Sequence, residues 1–347
     1  MPNETNGTPE RRLVVLQGFP TPRPTTNPYL IMLAEALRAS PGASVLNFSY
    51  RNALLGRYDV YHSHWPEILV SGHSPLKKIA RQALALAFLA RLAVRKTPIV
   101  RTMHNLERPE GLTRRESKML DLIDRMTTLR IRLNPTTVLA PGQAFETILH
   151  GHYRSWFHSL PKHAIVQGQI GYFGLIRRYK GVETLVTAFE QTAGAATSLT
   201  LRLGGKPSSV ELEQTIIRLA GDDDRISSAL HFLPDAELVE IVTTSEVIVL
   251  PYRFMHNSGG ALTSLSLDRP VLLPDNAVNR LLAEEVGPGW IYRYAGELTA
   301  EVLLQTVAAV RMDPRSAHPD LETRDWGSAG RLHVAAYRRA IEIRNGR

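Results

Sequence analysis

A strand, a basic corner and a helix follow one another in residues 171–185, GYFGLIRRYKGVETL, and few architectures accommodate that succession. Ile170, Tyr172 and Phe173 form an apolar run that stops at Gly174. Arg177, Arg178 and Lys180 then place three cations within four residues, ahead of Gly181. Val182, Leu185, Val186 and Phe189 recur at the i, i+3, i+4, i+7 spacing of an amphipathic helix. A helix start is already electropositive, so cations beside it are unfavourable unless an anion neutralises them. A phosphate or diphosphate held by backbone N–H groups and charge-assisted hydrogen bonds meets that requirement. A solvated basic turn is the competing reading of the charges.

A second corner of the same kind lies about 80 residues on. Residues 247–251 (VIVLP) read as a buried strand and 252–257 as a polar loop. Ser258, Gly259 and Gly260 open a helix over 261–267, with Ser258 a good N-cap. Arg269-Pro270 leads into a strand at 271–273. The second half continues to alternate, with strands at 199–203, 229–233 and 290–292 and helices near 182–193, 208–220, 235–243, 276–286 and 299–311. Such alternation predicts an α/β fold with a parallel sheet covered on both faces.

Length and charge narrow the classes. The 347 residues suit two domains, and 44% apolar content supports a substantial core. No cysteine is present, which excludes disulfides and thiolate chemistry. A net charge of +8 suits an anionic partner, but no nucleic-acid motif with interleaved aromatics accompanies it. Residues 1–12 are polar and read as a disordered lead-in.

In the first half, residues 13–17 read as a strand, followed by a Pro/Thr-rich loop and a helix over 28–38 that Asn27 caps and Pro28 begins. Short strands follow at 44–48 and 60–62, the latter running into Ser63-His64-Trp65-Pro66-Glu67. Ligands bind at the carboxyl ends of strands in open α/β sheets. Glu67 is therefore a candidate general base and Trp65 a candidate stacking platform for a ligand, unless Trp65 is core and Glu67 merely follows a proline turn. Residues 75–97 have an apolar body without acids and basic ends that include Lys77, Lys78 and Arg81. They suit a helix lying at an anionic membrane interface or a buried helix with snorkelling ends. A second basic helix is expected over 114–132, strands at 98–103 and 136–140, and a helix over 145–150. His104 and Asn105 end the strand at 98–103. His150, His152 and His158 have no carboxylate or cysteine to complete a metal site. Asp222, Asp223 and Asp224 read as a solvated turn, and 325–343 as a helix with Trp326, Leu332, Tyr337 and Ile341 toward a core.

The two corners resemble the nucleotide-sugar domain of GT-B glycosyltransferases. The closer resemblance is to the β-mannosyltransferase family of xanthan-type exopolysaccharide assembly. It rests on TNPYL (26–30), HWPE (64–67), R-T-x-HNL (101–106), ILHGHYR-x-WF (148–157), FGLIR-x-YKGVE (173–183), LPYR-x-MHNSG (250–259) and EVGPGW (285–290). It implies two Rossmann-like parallel-sheet domains facing a cleft, an N-terminal one over 13–160 and a nucleotide-sugar one over 161–324. A terminal helix, 325–347, then crosses back to the N-terminal domain. It implies that Arg177 and Lys180, with Asn257, Ser258, Gly259 and Gly260, hold the donor diphosphate. Asn27, Tyr29, His64, Trp65, Asn105, Tyr252 and His256 become donor or acceptor contacts, and Lys77, Lys78 and Arg81 membrane contacts. Retaining GT-B enzymes carry a Glu-x7-Glu pair at the second corner, and 255–263 here contain no acid. The resemblance thus implies inversion, with Glu67 as base, His104 next and Asp124 third. The implied donor is GDP-mannose, and the implied acceptor is a polyprenyl-diphosphate-linked oligosaccharide ending in glucuronic acid. No metal or other cofactor is expected, and the site of action is the cytoplasmic face of the plasma membrane. A sugar-nucleotide epimerase and a non-catalytic nucleotide-sugar-binding assembly protein are the alternatives.

Overall fold

The computed structural model describes residues 11–72, 74–109, 111–194 and 197–346. Apart from Arg11 and Arg12, the expected lead-in lies outside them. The described chain forms two compact units. One runs to Gly151 and resumes at Thr323; the other is His152–Glu322. The expected spans were 13–160 and 161–324.

Unit 1 contains β1 (Leu13–Gln17), α1 (Pro28–Ala39), β2 (Ala43–Asn47), α2 (Tyr50–Leu55), β3 (Val60–Ser63), α3 (Pro75–Val94), β4 (Ile99–Met103), α4 (Arg114–Met126), β5 (Thr127–Arg132) and β6 (Phe145–Thr147). Its six strands are ordered β2-β1-β3-β4-β5-β6, all paired in parallel. Asn27 caps α1 by accepting from the Tyr29 N–H at 3.0 Å, and Pro28 sits in the first turn. Leu16, Tyr61, Phe88, Leu89, Ile99, Met119 and Ile123 join sheet and helices in one core.

Unit 2 contains α5 (Arg154–Phe157), β7 (Gln169–Phe173), α6 (Val182–Glu190), β8 (Thr200–Gly204), α7 (Val210–Ala220), β9 (Ile226–Ala229), α8 (Asp235–Thr244), β10 (Val247–Val249), α9 (Gly259–Ser266), β11 (Val271–Pro274), α10 (Ala277–Val286), β12 (Ile291–Tyr294) and α11 (Ala300–Met312). Its strands are ordered β12-β11-β10-β7-β8-β9, again all parallel. The helix α12 (Trp326–Asn345) belongs to unit 1 and packs on α1. The buried Tyr337 hydroxyl meets His62 Nδ1 at 2.8 Å, and His62 Nε2 meets Thr102 Oγ1 at 2.8 Å, which ties α12 to the sheet.

Several expected elements are corrected. The basic helix stops at Met126, and Thr127–Arg132 is β5, buried along nearly its whole length. Met119, Leu120 and Ile123 face the core at helical spacing, whereas Leu129 and Ile131 alternate as a strand requires. Residues 136–140 are irregular, and the edge strand is β6, where a helix was expected. The strand expected at 229–233 ends at Ala229. On α12, Trp326 and Tyr337 are buried but Leu332 is exposed.

The long helix α3 buries Gln82, Ala85, Phe88, Leu89 and Leu92. Lys78 is turned toward the protein and pairs at 2.8 Å with Glu116, the acid of the Thr113/Glu116 capping box on α4. Arg81 donates to the Ser71 carbonyl at 2.7 Å. The outward face is instead Leu76, Ile79, Ala83, Leu86, Ala90 and Val94, with Leu76 and Val94 81% and 85% exposed. Lys77 is exposed beside that face. No helix among the described residues is long and apolar enough to cross a membrane.

Candidate active site

In unit 2 the strand order reverses between β7 and β10, which places the two corners side by side. A crevice at the carboxyl ends of strands flanking such a reversal is where open α/β sheets bind ligands. After β7, Gly174 takes φ 114° and the chain makes a 3-10 turn, Arg178–Lys180. Gly181 follows with φ 65°, and a Cβ there would lie 2.4 Å from the Pro251 carbonyl oxygen. Only glycine permits both that backbone and that approach. The Arg253 N–H donates to the Tyr179 carbonyl at 2.9 Å, joining the corners directly.

The Lys180 ammonium lies 4.9 Å from the centre of the Tyr252 ring. Burial, with Arg177 nearby, lowers its pKa from 10.5 to about 8. Among the described residues no carboxylate pairs with Arg177 or Lys180. Ser258 caps α9 by accepting from the Ala261 N–H at 3.1 Å, so Gly259 and Gly260 form the first turn. His256 and Asn257 are half-buried in the preceding loop, and burial lowers the His256 pKa. That loop is braced by Asn276, whose Nδ2 donates to the Met255 carbonyl at 3.0 Å. The bracing spans 21 residues and left no mark in the sequence beyond a helix-capping asparagine.

In unit 1 the reversal falls between β1 and β3. Their ends carry Gln17 and His64, and His104 follows β4. Gln17 Oε1 meets His64 Nε2 at 3.1 Å, and His64 Nδ1 meets His104 Nε2 at 3.1 Å. Burial drives both imidazole pKa values well below the ordinary range, so both rings are neutral near neutral pH. A carboxamide oxygen only accepts, so His64 carries its proton on Nε2 and His104 donates from its own Nε2. The His104 Nδ1 is thereby the unprotonated nitrogen. Trp65 stacks on His104 with centroids 4.3 Å apart, so one indole face is already taken.

His64, Trp65, Glu67, His104 and Asn105 line a cavity of about 290 Å³ together with Arg101, Arg108, Asp124 and Arg130. Glu67 stands half-buried on the 3-10 turn Pro66–Leu69, which Trp65 and Pro66 start. Asp124 is held by Arg101 and Arg108. Tyr29 is buried, packed against His104, His150 and Trp326. His150 is buried on the Gly151 carbonyl, and no three His, Asp or Glu side chains among the described residues are grouped to hold a metal. Gln17 and the three arginines escaped the sequence reading, because nothing local connects β1 to β3 or β4 to β5.

No model of a known family matches the chain. Solved structures fix the fold: the Anabaena HepE protein with UDP-glucose (13% identity, TM-score 0.60, 95% of this chain and 98% of that one) and the sucrose-phosphate synthase of Thermosynechococcus elongatus (17%, TM-score 0.56, 97% and 98%). Two Rossmann-like units, each with a strand-order reversal in its parallel sheet, define a GT-B fold. Over 330 residues, 95% of this chain and 93% of the relative, the sequence is 42% identical to the GDP-mannose:glycolipid 4-beta-D-mannosyltransferase of Xanthomonas campestris pv. campestris. The chain belongs to that family of glycosyltransferases.

Proposed function

We propose that the chain moves mannose from GDP-mannose to a diphospho-polyprenyl-linked oligosaccharide ending in glucuronic acid, with inversion at the anomeric carbon. The observation that carries this reading is the pair of corners at the β7/β10 reversal, whose cations lack carboxylate partners among the described residues. Departure of GDP develops negative charge on the diphosphate, and preorganised cations and N–H groups stabilise it. Arg177, Lys180 and the first turn of α9 supply both, and the reading needs no metal. Tyr252, His256 and Asn257 are the remaining donor contacts.

Glu67 takes the proton from the acceptor hydroxyl, and His104, neutral with a lone pair on Nδ1, is the second candidate. His64 fixes His104, while Trp65, Asn105, Asn27 and Tyr29 shape the acceptor side. The outward apolar face of α3 rests on the membrane that carries the lipid, with Lys77 toward anionic headgroups. Lys78 and Arg81, held by Glu116 and Ser71, position the helix. In this reading the enzyme works peripherally on the cytoplasmic leaflet.

The test is transfer from labelled GDP-mannose to the extracted lipid-linked acceptor. A β-linked mannosyl product whose formation survives EDTA is expected. Hydrolysis or epimerisation of the nucleotide sugar without transfer would defeat the reading.

A further inference from the structure

The cavity of unit 1 contains guanidinium groups that the transfer chemistry leaves unused. Arg101 on β4 and Arg130 on β5 are register partners on adjacent parallel strands, so both side chains leave the sheet on one face. Like charges set opposite each other on neighbouring strands repel. Arg130 is only 6% exposed and the Arg101 side chain 14%, so water screens them poorly. Arg108 reaches the same cavity from the loop after β4.

The compensation is thin. Arg101 and Arg108 share the Asp124 carboxylate, and Arg108 also takes Asp121 at 2.8 Å. Among the described residues the Arg130 side chain donates to the Asp124 backbone carbonyl alone, at 2.9 Å. The Arg101 Nε is buried with no hydrogen-bond partner among the described residues. Half-buried Glu67 and exposed Glu107 line the cavity, and among the described residues neither pairs with any of the three. Burial works against the charge on Arg130, Asp124 partly restores it and Arg101 opposes it. A guanidinium does not release its proton, so the imbalance stands.

We propose that Arg101 and Arg130 form an oxyanion subsite that binds a carboxylate or phosphate group of the acceptor. The inference rests on the transferase reading given above and adds to it the residues that select an acidic acceptor. The planar fork of a guanidinium matches such a group bidentately. Trp65, Glu67 and His104 line the same cavity, so an acid anchored on the arginines holds its sugar among the groups assigned to proton transfer.

Binding is measured first, without turnover. Methyl β-glucuronide, methyl β-glucoside and geranyl diphosphate are titrated against the full chain and against Arg130→Gln and Arg101→Lys. The glucuronide or the diphosphate, but not the glucoside, binds the parent, and Arg130→Gln weakens that binding by about tenfold to a hundredfold. Which of the two anions responds identifies the sugar carboxylate or the lipid diphosphate as the source. Arg101→Lys keeps the charge and recovers part of the affinity if it folds as the parent does. Equal binding of glucuronide and glucoside with no Arg130-dependent diphosphate binding overturns the subsite. Transfer to native and carboxyl-reduced acceptor is measured alongside. An enzyme that transfers equally well to both retains its function and loses the carboxylate subsite, whereas Arg130-dependent anion binding without any transfer upholds the subsite and removes the transferase reading.

Discussion

Replacing Lys180 by methionine separates affinity from stability. The ammonium is half-buried over Tyr252 beside Arg177, and desolvation lowers its pKa from 10.5 to about 8. That gap corresponds to about 3 kcal/mol of preference for the neutral form. The unfolded chain binds the proton up to about pH 10.5 and the folded chain only to about pH 8. The penalty is therefore complete below pH 8 and is relieved as pH rises from 8 to 10.5. Without ligand, Lys180→Met should raise stability at pH 7 by up to about 3 kcal/mol, less what the ammonium gains from the Tyr252 ring. A diphosphate reverses the sign, because its own second ionisation, near about 6, is already complete and it holds the ammonium protonated. At pH 8 GDP should thus draw in about half a proton per molecule bound, and the affinity should fall as pH rises above 8. Lys180→Met should lose this uptake and bind GDP about 10- to 100-fold more weakly. Calorimetry in buffers of different ionisation enthalpy reads the proton, and urea unfolding reads the stability. GDP binding to the parent at pH 8 with no proton uptake, and with unchanged affinity in the variant, refutes the reasoning.

Three further outcomes are expected. Glu67→Gln keeps GDP affinity and lowers kcat by about 100-fold or more, the usual worth of a positioned base, and full activity would move the role to His104. Ile79→Ser, Leu86→Ser and Val94→Ser together cut partitioning onto anionic liposomes by about 100-fold, from at least about 1 kcal/mol per side chain, and a flotation assay in which the triple variant matches the parent removes the membrane role of α3. Glu116 has its pKa lowered to about 2 by Lys78 and by the Thr113 side chain and backbone. Its contribution is present above about pH 4.5 and is lost as pH falls toward 2, so Glu116→Gln costs about 1–2 kcal/mol at pH 7 and nearly nothing at pH 2, as read from urea midpoints.

The GT-B architecture was legible because each corner is local. At the first, strand, glycine, cations and helix start lie within about a dozen residues, and a continuous apolar run gives way to a 3.6-residue period across them. What the sequence concealed is long-range. The identity of β5 was hidden because the basic residues Arg125, Arg130 and Arg132 read as one helix continued to 132, although Leu129 and Ile131 already alternate. Arg130 proves buried, and the Asp124 carbonyl that receives it closes the preceding helix. On α3, basic residues at the ends suggested cations facing outward. Lys78 and Arg81 fall on the same side as Ala85 and Leu89, and that side faces Glu116 and Ser71. The hydrogen bond between Gln17 and His64 joins residues 47 apart and follows from strand order alone.

A crystal structure of the protein with GDP is the most direct measurement. The account predicts the β-phosphate within hydrogen-bond distance of Lys180 and Arg177 and at the first turn of α9, against Ser258, Gly259 and Gly260. GDP bound elsewhere on unit 2, with Lys180 still lying over Tyr252 and untouched by phosphate, would contradict it.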